Sequence, residues 1–146
     1  MKKHILILLF PILILGCSAT KTATNKTDLY AGTWELEYIS GPRIAFEGLY
    51  PEQKPYITFN EAESQFGGNN SCNVYSGKYT LKDNTIHFGD AMKTMRYCEG
   101  GGEATFMDML GKVNKFKIDS EGKLLLLIDD IPMMRFNFKK ITKPQQ

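Results

Sequence analysis

Short runs in which apolar and polar residues alternate are the main pattern along this chain. In the first run, residues 33–39, every second side chain is large and apolar, and polar residues stand between them. A period of two is typical of a strand with one buried and one exposed face. The predicted buried face is Trp34, Leu36 and Tyr38, and the predicted exposed face carries Glu35 and Glu37. The same reasoning predicts further strands at residues 56–59, 79–81, 86–88, 115–118, 124–128 and 134–138.

Turn-forming residues separate several of these runs. Residues 82–84 read Lys-Asp-Asn and residues 119–122 read Asp-Ser-Glu-Gly, and each cluster between two predicted strands indicates a hairpin. Asp129 and Asp130 are predicted to form a turn rather than a cation site, because no further carboxylates cluster nearby. Residues 124–128 are apolar throughout, so we expect this strand to be covered on both faces.

One helix is predicted over residues 103–112. Phe106, Met109 and Leu110 are spaced i, i+3 and i+4 there, and Gly111 is a candidate stop signal. So short a helix must pack on the sheet to be stable. We therefore expect a mainly β fold of the α+β type. It would be an antiparallel meander curled into a barrel or cracked barrel, with one short helix across it.

The N-terminus has the pattern of a bacterial signal peptide. Two lysines precede residues 5–15, which are apolar throughout but too few to cross about 30 Å of hydrocarbon as a helix. Residues 14–17 then read Ile-Leu-Gly-Cys, which resembles the lipobox of bacterial lipoproteins. The resemblance implies that residues 1–16 are a signal peptide, cleaved before a lipidated Cys17. The alternative is an ordinary secretory signal that contains a cysteine by chance.

The segments on either side of the predicted domain are expected to be flexible. Residues 17–29 are interpreted as lipidated Cys17 and a tether, because residues 18–28 include no large apolar side chain that could pack. Residues 139–146 are interpreted as a disordered tail. Attached acyl chains would hold the protein on the membrane, outside the inner membrane. By resemblance to Gram-negative lipoproteins, Ser18 in place of Asp favours the outer membrane.

The charge balance argues against a nucleic-acid partner. The chain has 18 Lys and Arg and 16 Asp and Glu, and Lys2 and Lys3 lie in the predicted signal peptide. Removing these two leaves 18 − 2 = 16 basic residues, so the mature chain is formally neutral. Without a basic patch, counterion release cannot supply much affinity for nucleic acid.

The three cysteines divide into one lipidation site and one pair. If Cys17 is lipidated, Cys72 and Cys98 remain, and an even number in an oxidising compartment suggests a disulfide. Two buried free thiols are the alternative. A zinc site is not expected, because the only histidines are His4, in the signal peptide, and His87. We expect no metal and no cofactor.

No set of residues in the sequence has the pattern of a catalytic site. His87 lies in an alternating strand and is expected to be exposed, so it cannot be assigned to a Ser–His–Asp set. Glu103 stands at the predicted helix start, where the helix dipole and free N–H groups explain an acidic residue. Asn69, Asn70 and Asn73 have two interpretations. They form either an internally hydrogen-bonded bend or a polar binding surface at one end of the sheet.

Several short motifs follow one another in a characteristic order. They are Gly-Thr-Trp-Glu-Leu at 32–36, Cys-Asn at 72–73, Gly-Lys-Tyr at 77–79, Thr-Met-Arg-Tyr-Cys at 94–98, and Glu103 at the helix start. This order resembles the META domain family, also called HslJ-like, over about residues 30–138. Ser71 stands where the family usually has Gly.

The resemblance implies a non-enzymatic envelope lipoprotein that acts in stress tolerance or envelope integrity. We expect a monomer that binds an envelope protein or an apolar ligand. A second hypothesis is a pilotin-like assembly factor, which requires an apolar groove or lumen of several hundred Å³. A third is an enzyme, which would require a cleft with at least two strongly perturbed titratable groups.

The lipidation prediction is tested by replacing Cys17 with Ser. We expect this variant to accumulate as an unlipidated precursor, since both lipid attachment and cleavage depend on Cys17 in the lipobox. Intact-mass spectrometry of the wild-type protein should show a mass gain at Cys17. A wild-type protein without that gain would exclude the lipoprotein interpretation.

Overall fold

Residues 29–140 are described by a computed structural model of the chain. The predicted signal peptide, Cys17, nearly all of the tether and residues 141–146 lie outside the described residues. The elements in chain order are β1 (Thr33–Ile39), α1 (Phe46–Leu49), β2 (Tyr56–Asn60), β3 (Gln65–Asn69), β4 (Val74–Lys82), β5 (Thr85–Lys93), α2 (Gly102–Lys112), β6 (Lys115–Ile118), β7 (Leu124–Ile128) and β8 (Ile131–Lys139). Within residues 29–140, no helix combines the length and hydropathy needed to span a bilayer.

The eight strands form a closed antiparallel ring. Each strand pairs with the next one in the chain, and β8 pairs back with β1, so that Thr33 lies opposite Lys139. The shortest strand pairing in the ring is between β5 and β6, where only Thr85 and Lys115 lie opposite each other as partners. Helix α2 occupies the connection between these two strands and packs beside β5. The expectation of a mainly β, antiparallel fold is confirmed.

Most predicted elements are present, and the exceptions have local causes. Strand β3 was not predicted, because Gly67, Gly68 and Asn69 are poor strand formers and only Phe66 within it is buried. The four-residue helix α1 was not predicted either. Helix α2 continues through Gly111, so the proposed stop signal is wrong. The helix ends at Lys112, and the backbone of the next residue, Val113, is extended.

A bulge in β1 changes the predicted buried face of this strand. The register with β8 shifts between Leu36 and Tyr38, so the alternation of faces is interrupted. Tyr38 is therefore exposed, and the Arg135 guanidinium lies 5.5 Å from its ring centre. Ile39 is buried in its place. The prediction that Tyr38 belongs to the core face is wrong, whereas Trp34 and Leu36 are buried as predicted.

Aromatic side chains fill the interior of the ring. Phe106 of α2 packs between the rings of Tyr75 and Phe136, with centroid distances of 5.7 and 6.5 Å. Burial of apolar surface is the dominant favourable term in folding, and each aromatic ring buries a large area. Other large side chains of the core are less than 2 % exposed. They include Trp34, Phe66, Phe116, Leu36, Ile57, Ile86 and Leu124.

Strand β7 is covered on both faces, as predicted. Leu124 and Leu126 belong to the core, and the alternate residues Leu125 and Leu127 are also buried. Lys117 and Arg135 lie opposite Leu125 on the two neighbouring strands, where their aliphatic stems can cover it. The two turns that flank β7 lie where the sequence predicted them.

Trp34 anchors the first strand to the N-terminal end of the described chain. Its side chain is 1 % exposed, and its indole N–H donates to the carbonyl oxygen of Leu29 at 2.9 Å. The ring of Phe138 packs against it edge-on at 5.2 Å between centroids. Trp34 therefore holds the chain before β1 and the last strand together.

Replacing Trp34 with Ala should lower the free energy of unfolding by about 3–5 kcal/mol, because it leaves a large cavity in the core. Replacing it with Phe should cost less, since most of the apolar volume is kept and the hydrogen bond to Leu29 is lost. Trp34 is the only tryptophan, so both variants lack tryptophan fluorescence. Urea unfolding is therefore followed by circular dichroism, which measures both free energies. An unchanged midpoint in the Ala variant would contradict the position of Trp34 in the core.

Candidate functional site

Three segments meet at one end of the ring. They are the loop between β3 and β4 (residues 70–73), the segment between β5 and α2 (residues 94–101), and the first turn of α2. A disulfide between Cys72 and Cys98 joins the first two segments, with a Cα–Cα distance of 5.9 Å. The two cysteines are thus paired in the structure, which was one of the two alternatives that the sequence left open.

The side chain of Asn73 links all three segments. It is 2 % exposed and makes four hydrogen bonds. Its amide nitrogen donates to the Arg96 carbonyl oxygen at 2.9 Å and to Glu103 Oε2 at 2.8 Å. Its carbonyl oxygen accepts from the Thr94 hydroxyl at 2.8 Å and from the Arg96 N–H at 2.7 Å. Both polar atoms of the buried amide are therefore fully used.

Asn70 closes the β3–β4 loop on itself. Its side-chain oxygen accepts the backbone N–H groups of Cys72 at 3.2 Å and of Asn73 at 2.7 Å. Its own backbone N–H donates to the Asn73 carbonyl at 3.0 Å. Beside it, Ser71 has a φ of +88°, a conformation that favours glycine, and the Asn69 side chain accepts its N–H at 2.8 Å.

This geometry corrects the binding-surface interpretation of the asparagines. Asn70 is 0 % exposed and Asn73 is 2 % exposed, so neither can contact a partner. Asn69 is half-buried and bonded within the loop. The alternative interpretation, an internally hydrogen-bonded bend, is the one that the structure shows. Among the described residues, the Asn70 amide nitrogen is buried without a hydrogen-bond partner.

Glu103 has a different role from the one that its position suggested. It lies in the first turn of α2 as predicted, but its carboxylate faces the sheet, where it binds Lys93 and Asn73. Partial burial acts to raise the pKa of Glu103. Hydrogen bonds from Lys93 and Asn73, the Lys93 charge and the nearby Asn70 amide together outweigh burial, so the pKa lies below 4.5.

An exposed apolar surface lies next to this polar network. Met92 is 78 % exposed, Met95 is 90 % exposed and Tyr97 is 88 % exposed, and all three belong to one short stretch of chain. Val74, 59 % exposed, lies beside this stretch, because its carbonyl accepts the Thr94 N–H at 3.0 Å. We call these four residues the 92–97 surface. The sequence does not indicate this surface, because its residues follow neither a strand nor a helix period.

Two hollows are lined by helix α2 or by the segment that leads into it. The β5–α2 groove has a volume of about 460 Å³. It is lined by Phe66, by five residues of β5 (87–91, including the exposed His87) and by Met107, Leu110 and Gly111 of α2. The disulfide hollow, of about 440 Å³, is lined by Pro51, Glu52, Ser71, Arg96, Tyr97, Cys98 and Glu99.

The titratable groups do not converge on a catalytic arrangement. Glu37 has a lowered pKa, chiefly because of a hydrogen bond from Lys123, and it also binds Arg135. This shift was not expected for a residue assigned to the exposed face of β1. Glu37 and Glu103 have separate partners, and both are held ionised by cations. In the described part of the chain, no three His, Cys, Asp or Glu side chains are placed to hold a metal ion.

Comparisons with known proteins give one family and a set of structural relatives. The META domain model matches residues 27–140. No curated protein matches the chain significantly. A solved structure of a protein from Burkholderia xenovorans is similar at 20 % identity and a TM-score of 0.59, covering 80 % of this chain and 86 % of that one. A DUF4847 family protein from Bacteroides vulgatus is similar at 16 % identity and a TM-score of 0.54, covering 77 % and 95 %. Both likenesses concern the fold.

The contact between Asn73 and Glu103 predicts that acid lowers the stability of the wild type and raises that of an Asn73→Asp variant. In the wild type the pKa of Glu103 is lowered, so its stabilising contribution is present above about pH 4.5 and is lost as the pH falls through the folded-state pKa. Asn73→Asp replaces the donor beside Glu103 with a second carboxylate, and each would raise the pKa of the other. We expect this variant to be about 3 kcal/mol less stable at neutral pH, and to recover part of that loss below about pH 5.

Urea unfolding between neutral pH and about pH 4 measures both trends. Asn73→Ala is the matched control, because it removes the same hydrogen bonds without adding a charge and should show no recovery in acid. A loss in the Asp variant that is equal at every pH would mean that position 73 does not contact Glu103 in solution.

Proposed function

This chain belongs to the META domain family, and on that premise we propose that it is a non-enzymatic binding module of the bacterial envelope. Lipidated Cys17 would anchor it, and the domain would dock a protein partner that contributes to stress tolerance or envelope integrity. The envelope location is supported by the signal-peptide pattern and the lipobox resemblance at residues 1–17. The biological role is supported by the family resemblance alone.

The observation that carries the binding proposal is the 92–97 surface. Methionine and aromatic side chains are enriched at protein interfaces, and this surface holds two methionines and a tyrosine that are almost fully exposed. The backbone beneath them is fixed by the Asn73 hydrogen bonds and by the disulfide. A surface that is ordered before binding loses little conformational entropy when a partner docks.

The filled interior of the ring favours a protein partner over an apolar ligand. Trp34, Phe66, Tyr75, Phe106 and Phe136 are all at most 2 % exposed and pack against one another or against neighbouring core residues. An apolar ligand in the lumen would have to displace such side chains. An exposed surface has no such cost.

The electrostatics of the domain support a non-enzymatic role. Catalytic acids and bases require pKa values near the working pH. The carboxylates of Glu37 and Glu103 have pKa values that are lowered away from neutrality. Burial raises the pKa of Tyr50 to about 12, which keeps its hydroxyl protonated. These groups serve as fixed structural partners.

A pilotin-like assembly factor is the second candidate, and the β5–α2 groove favours it. Its volume of about 460 Å³ meets the several hundred Å³ that this hypothesis requires. Its lining combines the apolar Phe66, Phe88 and Leu110 with the polar His87 and Asp90. After Thr85, β5 pairs with β4 on one side and, within residues 29–140, with no strand on the other. An extended segment of a partner could therefore pair along this second edge.

Crosslinking in intact envelopes with matched variants of the lipidated protein distinguishes the two candidates. Met95→Glu places a charge in the 92–97 surface and should reduce the main crosslinked product by more than tenfold. Ile131→Glu is the control, because Ile131 is an exposed apolar residue at 65 % on β8 and should retain the product. Loss in both variants would indicate a nonspecific effect of charge.

Gly111→Trp tests the groove. Gly111 lines the groove, and a Cβ at this position meets no atom of a neighbouring element within 4 Å, so α2 has room there for a side chain. The variant should retain the crosslinked product if the 92–97 surface is the docking site, and lose it if the groove is. Retention of the product by both Met95→Glu and Gly111→Trp would contradict both candidates.

A further inference from the structure

The two cysteines of the disulfide differ in their exposure to solvent. Cys72 is 6 % exposed, whereas Cys98 is half-buried and lines the disulfide hollow of about 440 Å³. Thiol–disulfide exchange requires a thiolate to approach one sulfur directly. An incoming thiolate can therefore reach Cys98, while the protein shields Cys72.

Arg96 contacts both sulfurs, with its guanidinium near Cys98 and its carbonyl oxygen near Cys72. The Arg96 guanidinium nitrogen Nη2 lies 4.0 Å from Cys98 Sγ, where its charge would stabilise a thiolate. The Arg96 carbonyl oxygen lies 3.3 Å from Cys72 Sγ. In the disulfide this sulfur has no proton, but after reduction a Cys72 thiol has this carbonyl oxygen beside it as a hydrogen-bond acceptor.

The segment between β5 and α2 has attachments that do not depend on the disulfide. Asn73 binds Thr94 and the backbone of Arg96, and the Thr94 N–H donates to the Val74 carbonyl. After Cys98, Gly100 and Gly101 have φ values of +99° and +68° and lead into the helix. Opening of the disulfide would therefore free only the short stretch from Tyr97 to Gly101, with both of its ends still held.

We propose that Cys98 is a thiol-exchange site, at which a dithiol partner reduces the Cys72–Cys98 bond within the folded domain. One thiolate of the partner attacks Cys98 Sγ, forms a mixed disulfide and expels Cys72 as a thiolate, which takes a proton from water. The second thiolate of the partner attacks the partner's own sulfur in the mixed disulfide. Cys98 then leaves as a thiolate beside Arg96, and the partner leaves as a disulfide. Two electrons pass from the dithiol to the protein.

The charges around the hollow define the kind of partner that fits. Glu52 and Glu99 line the hollow together with Arg96. Their carboxylates favour a dithiol whose reactive sulfur is flanked by cationic side chains. The consequence of reduction is a change in the mobility of Tyr97, at the end of the 92–97 surface. The exchange chemistry goes beyond the proposed binding function and does not depend on it.

The test is reduction of the folded mature chain by dithiothreitol, followed by alkylation and mass spectrometry across low urea concentrations. We expect a rate that is independent of urea below the unfolding transition, because Cys98 is reached in the native state. Arg96→Ala should slow reduction by about tenfold, because the guanidinium beside Cys98 attracts the incoming thiolate. This variant keeps the Asn73 bonds, which are made to the Arg96 backbone. Arg43→Ala, an exposed arginine in the β1–β2 connection, is the control and should not change the rate.

Two further measurements complete the test. Brief exposure to glutathione, quenched with acid, should give a mixed disulfide at Cys98 and not at Cys72. Hydrogen exchange of the reduced protein should increase around Tyr97 to Gly101 and stay unchanged in the strands. A rate that rises with urea in parallel with unfolding, a mixed disulfide at Cys72, or unfolding of the strands on reduction would each overturn the proposal.

Discussion

The buried amide of Asn73 is the interaction on which the functional end of this molecule depends. An amide that is removed from water without hydrogen bonds costs several kcal/mol. Here its two polar atoms make four bonds, and these reach the segment after β5 and the start of α2. Displacement of any one partner would leave part of the hydrogen-bonding capacity of this buried amide unused. Apolar packing has no directional requirement of this kind, so it could hold the segments together without fixing their relative positions.

The disulfide and the Asn73 network constrain the same two segments in different ways. A covalent link between Cys72 and Cys98 acts largely by restricting the unfolded chain. The hydrogen bonds of Asn73 act in the native state, where they select one conformation of the segment. This division explains how Met92, Met95 and Tyr97 can stay almost fully exposed. Large apolar side chains on a free loop would collapse onto the domain, but these are attached to a backbone that is already bonded elsewhere.

The sequence predicts those parts of the fold that depend on local pattern. Strands with a clear period of two, such as residues 33–36 and 134–136, have their apolar side chains in the core. The pattern failed at Tyr38, because a bulge in the pairing with β8 is not visible in β1 itself. Strand β3 was missed because Gly67 and Gly68 carry no side chain to show alternation. For the site, the residue types were identified, but the partners of Asn73 lie 21 to 30 residues away along the chain. The residues next to Asn73 in the sequence do not indicate whether its side chain faces water or the interior.

The ring of strands is held unevenly around its circumference. Strand β1 pairs with β8 along most of its length, and this pairing joins the two ends of the described chain. Formation of such long-range pairs requires closure of a large loop, which slows folding. By contrast, β5 and β6 share the single registered pair Thr85 and Lys115. The chain therefore resembles two meanders, β1–β5 and β6–β8, that are firmly joined at the β1–β8 contact and loosely joined at the other. Thermal fluctuations that part the ring would begin at that loose contact, and the two meanders would then pivot about the firm pairing of β1 with β8.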